Sequence, residues 1–375
     1  MEALSDILVV AIEQAVAAPL CTSRLEAAGA RVIKIEREGG DFARGYDRAA
    51  QGESSYFTWL NQGKESVCLD FKQAEDAELM WGILRKADVL IQNLSPGALA
   101  RSGFSRDALH AVNPELIICN VSGYGDTGEA ANKRAYDLLV QAESGLIAVS
   151  GSAEAMGRIG VSVCDIGAGM TAYSAILEAL IRRGKTGQGE EIAISLFDVA
   201  AEWMMVPYIH AHYGEGAPEP VGLRHPSIAP YGAFACADNR LVLISIQNER
   251  EWQRLCEDVL AAPELFAHPN YADNQRRVAN REALETEISA ITGTLSSEAF
   301  QERLQASKIA FGAINTPDDL ARHEALRTST YRTSDGQEML LPAHPVRRQS
   351  GGSEAGKRNP KVGQHTEQIR DEFGD

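Results

Sequence analysis

The 375-residue chain exceeds a typical single domain, and its 44% hydrophobic, 23% charged composition is that of a globular protein able to bury a large core. Its net charge of −16 argues against nucleic acid, because the most basic short stretches, Arg182–Lys185 and Arg347–Arg348, are too small for a phosphate-binding patch. Six scattered cysteines contain no C-x-x-C pair, acids at Glu2, Asp6 and Glu13 break the apolar N-terminal stretch, and no window approaches the roughly 20 apolar residues that span a bilayer; a protein without metal or membrane, in a reducing cytoplasm, is expected.

Short apolar runs alternate with longer amphipathic stretches over the first 200 residues. Strands are predicted at Leu8–Val10, Arg31–Ile35, Val67–Asp70, Asp88–Ile91, Leu116–Val121 and Glu191–Leu196, with helices over Pro19–Ala28 and Gln73–Lys86 between them. Strands separated by helix-length segments imply βαβ units and a doubly wound parallel sheet. A long helix is predicted from Ile166 to about Arg183, with Met170, Tyr173, Ile176, Leu177, Leu180 and Ile181 as its apolar face and Gly184 as its stop. Another helix runs through Trp203 and Met205, and the Gly- and Pro-dense stretch from Gly214 to Pro230 reads as a boundary. Strands at Tyr231–Ala235 and Leu241–Ile246 and helices at Glu251–Leu260, Arg281–Thr292 and Ser297–Ser307 then make a compact α+β module. The fold class is therefore α/β, with a large domain over 1–215, a small α+β domain over 225–320 and a return segment over 321–375. That return includes a flexible composition from Gln349 through Gly351, Gly352 and Ser353.

Three motifs invite readings that their contexts do not support. Gly123, Gly125 and Gly128 match G-x-G-x-x-G, but they follow a late strand and precede no amphipathic helix, so they read as a turn-rich loop. Gly184-Lys185-Thr186 resembles the end of a P-loop, yet Ala179 stands where its first glycine is required. His210 and His212 lack a third ligand at useful spacing.

Asp165 stands just before the long helix and is followed by Gly167 and Gly169. Taken alone it reads as an N-cap. Two glycines in a first turn weaken a helix by about 1 kcal/mol each, although they allow close approach of a ligand.

Several segments taken together resemble the class III CoA-transferase family, of the formyl-CoA transferase and carnitine CoA-transferase (CaiB/BaiF) type. They are Ala17-Ala18-Pro19, Gly29 to Arg37, Leu69 to Lys72, Gln92 to Gly97 with Arg101 and Gly103, Ser122 to Gly125, Ala135 to Leu138, Asp165 to Gly169, and Pro360 to Glu367. The likeness covers almost the whole chain. It implies a Rossmann-like large domain, a smaller domain and two interlocked subunits. It places the catalytic aspartate at Asp165 and coenzyme A contacts at Arg37, Leu69, Lys72, Asn93, Arg101, Arg134 and Tyr136. Coenzyme A thioesters are then substrates, with no permanently bound cofactor, and the partners are an acyl-CoA, a small carboxylic acid and a second copy of the chain. Asp137 is expected to orient substrate or helix, and the amides around Gly167 and Gly169 to stabilise an oxyanion.

The segment Arg224 to Tyr231 resembles that of transferases acting on short dicarboxylates, of the itaconate, mesaconate or glutarate type. Arg44, Arg48, Lys64 and Arg224, with His225 beside it, are candidates for holding a second carboxylate. Succinyl-CoA is the expected donor and a C5 dicarboxylate the expected acceptor. Two departures stand out: the segment from Leu223 to Tyr231 lacks the glycine run that shields the intermediate in some relatives, and Val16 replaces the glutamine of formyl-CoA transferase. The alternatives are an α-methylacyl-CoA racemase-like isomerase and a non-catalytic CoA-binding protein. Racemases carry a histidine where Tyr136 stands, and a tyrosine with pKa near 10 is a poor base.

Overall fold

The computed structural model describes residues 2–347 and 357–374; the expectations for Arg348 and for the tail from Gln349 to Ser353 lie outside them. The contacts divide the chain into two units. The residues up to Leu146, Arg158–Val206 and those from Arg327 onward form one, and Ile147–Gly157 with Pro207–Leu326 form the other.

The first unit is built on β1 (Leu8–Ile12), β2 (Arg31–Glu36), β3 (Glu65–Cys68), β4 (Val89–Gln92), β5 (Ile117–Ser122) and β6 (Glu191–Ser195). All five pairings are parallel, in the order β3-β2-β1-β4-β5-β6. Its helices are α1 (Ala17–Ala27), α2 (Ser55–Leu60), α3 (Ala74–Leu84), α4 (Ala98–Arg101), α5 (Arg106–Val112), α6 (Asp137–Glu143), α7 (Val163–Thr186) and α8 (Leu196–Trp203). The expected doubly wound sheet is present, with both faces covered. Val9, Ala11, Val32 and Ile91 pack on one side with α1, α7 and α8, while Val10, Ile12, Ile33 and Leu90 pack on the other with α3 and α5. This strand order reverses direction at β1 and β4, and ligands of such sheets bind beyond the carboxyl ends of the strands at that reversal.

Three expectations need correction. Helix α7 begins at Val163 and passes through Gly184 to Thr186, ending at Gly187 in the left-handed conformation (φ 68°). Its buried face is made of Cys164, Gly167, Ala168, Gly169, Ala172, Ile176 and Ala179, whereas Met170 and Ile181 are exposed. Small side chains are required because α1 lies so close: a Cβ on Gly169 would stand 2.5 Å from the Ala17 carbonyl oxygen and 2.9 Å from the Leu20 Cβ. Contrary to the hydropathy reading, α7 is also long and apolar enough to meet the length and composition of a membrane span, yet this face of it is core. Finally, the helix expected through Met205 breaks at Met204, and a separate helix covers Met205–Tyr213.

The second unit carries an antiparallel sheet of β7 (Tyr231–Ala235), β8 (Leu241–Ser245) and β9 (Ala310–Ala313), packed through Phe234, Val242 and Ile244 on helices that bury Trp252, Leu284, Ile288 and Phe300. In the first unit, a hairpin of β10 (Thr328–Arg332) and β11 (Glu338–Pro342) precedes a last helix, Thr366–Phe373. The residues before that helix cover the open edge of β3. His365 N–H donates to the Ser66 carbonyl and Ser66 N–H to His365 Nδ1, while Cys68 N–H donates to Thr366 Oγ1.

Candidate active site

The turn between β1 and α1 sits at the point where the sheet order reverses. Dinucleotide-binding sheets place glycines there; this turn reads Glu13-Gln14-Ala15-Val16. Ala15 nevertheless adopts φ 64°, a left-handed conformation that costs an alanine about 1–2 kcal/mol. Side chains from neighbouring strands hold it. Gln14 and Asn93 exchange two hydrogen bonds, at 3.0 and 2.8 Å, and Ala15 N–H donates to Asp41 Oδ1 at 3.1 Å.

Beneath the turn lies a buried ionic cluster. Lys34 Nζ reaches Asp41 Oδ2 at 2.9 Å and Glu13 Oε1 at 3.3 Å, and Lys64 Nζ reaches Glu13 Oε1 at 2.7 Å. Burial alone would raise the Glu13 carboxyl, but the two ammonium groups hold it below the ordinary carboxylate range.

Asp165 occupies the first turn of α7 without being its cap. Ser162 precedes the helix and its side chain makes no capping bond. The cap comes instead from Asp137, whose Oδ1 accepts the amides of Cys164 at 2.7 Å and Asp165 at 3.3 Å, while Gln141 Nε2 donates to its other oxygen at 2.6 Å. Asp137 therefore orients the helix. The amides of the first turn are thus occupied, with Ile166 N–H bonded to the Ser162 carbonyl. Gly167 and Gly169 lie inside the helix, and their roles are in packing: a Cβ on Gly167 would collide with Trp203 and Val199. Helix hydrogen bonding engages the amides expected to form an oxyanion site at these two glycines.

The Asp165 carboxylate has no hydrogen bond or ion pair among the described residues, and burial, with the Asp137 charge added, pushes it up to about 7. Tyr46 lies within the field of Asp165, Tyr136 and Tyr56. Burial, joined by Asp41 and then Asp165, pushes its hydroxyl up to about 12, so it stays a proton donor. Tyr46 and Asp41 are candidate site residues that the sequence reading missed. Lys34 was the available signal, since a lysine between Ile33 and Ile35 in a buried strand requires a buried acid.

The cations fall into two groups. Arg37 follows β2, Lys72 follows Leu69 beyond β3, Arg101 ends α4 and Arg134 precedes Tyr136 at the start of α6; all four are exposed and none has a carboxylate partner among the described residues. Leu69 is buried and Tyr136 is 64% exposed. Between β4, β5 and α4 opens a cavity of about 260 Å³ lined by Gln92, Leu94, Gly97, Phe104, Asn120 and Ser122.

Three of the four cations in the second group, expected to hold a substrate carboxylate, are already committed. Arg44 grips both oxygens of Glu36 at 3.0 and 2.7 Å and stacks 3.7 Å over Phe57. Lys64 is buried on Glu13, and Arg224 pairs with Glu285 at 2.7 Å in the second unit. There His225 stacks on Tyr231, and its Nδ1 accepts the Ser227 amide. Arg48 alone of these four cations lacks an acidic partner among the described residues, donating instead to the Gly52 carbonyl.

A partly buried, unpaired carboxyl in the first turn of α7 suits covalent group transfer. The profile of CoA-transferase family III matches residues 4–366, and the chain belongs to that family. It is therefore a class III CoA-transferase, an enzyme whose substrates are coenzyme A thioesters, and the family indicates no other cofactor. It is 32% identical to an acetyl-CoA:oxalate CoA-transferase of Acetobacter aceti, over 98% of this chain and 95% of that one. It is 30% identical to a succinyl-CoA:mesaconate CoA-transferase of Haloarcula hispanica, over 100% and 97%. A CAIB/BAIF family protein from Brucella suis matches its fold with a TM-score of 0.87 at 29% identity, covering all of both chains.

Proposed function

We propose that Asp165 is the nucleophile of this transferase, and that the enzyme moves coenzyme A from succinyl-CoA to a C5 dicarboxylate such as itaconate or mesaconate. The carrying observation is the unpaired Asp165 carboxyl at the start of α7. Its oxygen attacks the thioester carbon, the C–S bond breaks, and coenzyme A leaves as a thiolate, giving a mixed anhydride. The thiolate then attacks the aspartyl carbonyl, releasing the donor acid as a carboxylate and leaving an enzyme–CoA thioester. The acceptor carboxylate attacks that thioester, and the steps run in reverse with no net proton transfer. In place of the glycine amides, the hydroxyls of Tyr46 and Tyr136 are the donors for the developing oxyanion.

In this reading Arg37, Lys72, Arg101 and Arg134 hold the phosphates of coenzyme A, with Leu69, Asn93 and Tyr136 shaping the pocket; the absence of acidic partners on all four cations supports it. The dicarboxylate acceptor draws support from relatives named for oxalate, mesaconate and glutarate. Arg48, rather than Arg44, Lys64 or Arg224, remains to meet the second carboxylate.

The enzyme acts as an interlocked homodimer in the cytoplasm. Exposed Met170, Ile181, Trp203, Met205 and Val206 offer an apolar surface for the partner, and all six cysteines are free. Asp165→Ala is expected to abolish transfer, and hydroxylamine to inactivate the wild type only during turnover with acyl-CoA. Wild-type rates in the variant overturn the mechanism. A panel of acids with succinyl-CoA tests the substrate: activity with monocarboxylates alone removes the dicarboxylate assignment.

A further inference from the structure

Three of the four residues of the turn that joins β1 to α1 are gripped by side chains from elsewhere. The Glu13 carboxylate receives Lys34, Lys64 and the Thr22 hydroxyl, Gln14 is paired with Asn93, and Ala15 N–H is held by Asp41. With no glycine in the turn, its left-handed residue is stabilised by these contacts rather than by backbone freedom. Asp41 has the widest reach among them. It is buried, its Oδ1 also accepts the Ala43 amide at 2.9 Å, and that bond caps the short helical turn Phe42–Gly45, which ends at Tyr46. Its Oδ2 takes Lys34, and its own amide donates to Glu36 Oε1 at 2.8 Å.

One carboxylate thus holds two segments that converge on the first turn of α7. Ala15 and Val16 pack in one cluster with Ile166, the neighbour of Asp165. Tyr46 is the other arm: its ring meets Tyr56 edge-on with centroids 5.4 Å apart, and Tyr56 packs in that same cluster with Ile166. We propose that Asp41 is a positioning residue for the transfer reaction: it fixes the Ala15 turn and the Tyr46 turn against α7, so that the Asp165 oxygen meets the thioester carbon in one geometry. The proposal rests on the reading of Asp165 as nucleophile. A misplacement of about 1 Å at a reacting centre costs on the order of 100-fold in rate, so a turn held this firmly acts on kcat.

Asp41→Asn keeps an acceptor for the Ala15 and Ala43 amides but withdraws the charge opposite Lys34. It is expected to lower kcat at least tenfold while KM for acyl-CoA stays within threefold. Ala15→Gly in that background removes the cost of the left-handed backbone and is expected to recover at least threefold of the lost kcat, measured well below the melting temperature; a purely structural Asp41 gives no such recovery. Ala15→Val leaves the buried ions intact, so it carries the test even if Asp41→Asn does not fold. A β-branched residue resists a positive φ, and the same fall in kcat at unchanged KM is expected. Wild-type kcat in Asp41→Asn or Ala15→Val, or no recovery with Ala15→Gly, overturns the positioning role. Activity in Asp165→Ala overturns the nucleophile assignment instead, so the two failures are told apart.

Discussion

Through one carboxylate oxygen Asp137 accepts the backbone amides of Cys164 and Asp165, which sets its negative charge against the start of α7. Removing that oxygen in Asp137→Ala leaves two helix amides without their cap and is expected to cost about 1–2 kcal/mol of stability. Asp137→Asn keeps an amide acceptor but removes the charge that helps raise the Asp165 carboxyl. The acid limb of its pH–rate profile is therefore expected to move to lower pH. Thermal melts and kcat/KM profiles of the two variants separate the cap from the charge.

Asp165 itself sets a pH dependence whose sign is fixed. As the proposed nucleophile, its carboxyl, pushed from 3.8 to about 7, acts only when ionised, so kcat/KM for acyl-CoA is expected to fall about tenfold per pH unit below 7 and to level off above it. A carboxyl near 7 also suits proton transfer. Deuterium wash-in at the acyl α-carbon, with no exchange of coenzyme A, would move the reading towards the racemase-like alternative. The stability consequence runs the other way. A carboxyl raised in the folded state favours folding when protonated, so its contribution is present below about 3.8 and is lost as pH rises through about 7. The rise amounts to about 4 kcal/mol at full burial and to roughly half of that for a side chain in partial contact with solvent. Asp165→Asn is thus expected to melt higher than the wild type at pH 8, with the gap closing towards pH 4.

Much of this was legible in the sequence, and the omissions have physical causes. The strand at Arg31–Glu36 was legible from the alternation of Ile33, Lys34 and Ile35. The face of α7 was legible only in part: Ile176 is buried and Tyr173, Leu177 and Leu180 pack against the core as the periodicity implies, but close packing on α1 selects glycine and alanine at its centre and leaves Met170 and Ile181 exposed. Asp165 stood out as a candidate through its family pattern, and Asp137 was expected to orient substrate or helix; that it does so by capping α7 from 28 residues away was not legible, because no local spacing links the two. Arg44 and Lys64 looked like ligands for a carboxylate because charge is apparent in a sequence and pairing is not.

Gly167 and Gly169 offer a graded test of the packing account. A Cβ at Gly169 meets the Ala17 carbonyl, a backbone group that cannot move without shifting α1, and Gly169→Ala is expected to cost about 1–3 kcal/mol. At Gly167 the obstacle is chiefly the end of the Trp203 side chain, itself 42% exposed and able to turn aside. Gly167→Ala should therefore cost less, and denaturant melts that reverse the order contradict this assignment.

The sharpest contrast lies between cations that differ only in their partners. Arg44 neutralises Glu36, a carboxylate with no other cation in direct contact, so Arg44→Ala strands a buried charge at a cost of about 3–5 kcal/mol. The Phe57 stacking and the hydrogen bond to the Pro360 carbonyl are lost with it. The expected result is a melting temperature lower by several degrees, with KM for the acceptor acid little changed. Arg37 and Arg134 have no such partner, so Arg37→Ala and Arg134→Ala should leave the melt within about 1 kcal/mol of wild type. If the two arginines hold coenzyme A phosphates as proposed, each variant loses one charge-assisted contact worth about 1.5 kcal/mol, which corresponds to roughly a tenfold rise in KM for acyl-CoA. The rise should shrink as ionic strength increases, because exposed charges are screened. If Arg44→Ala instead raises KM for dicarboxylates while melting like the wild type, its pairing with Glu36 yields to substrate, and the acceptor site lies over β2 after all.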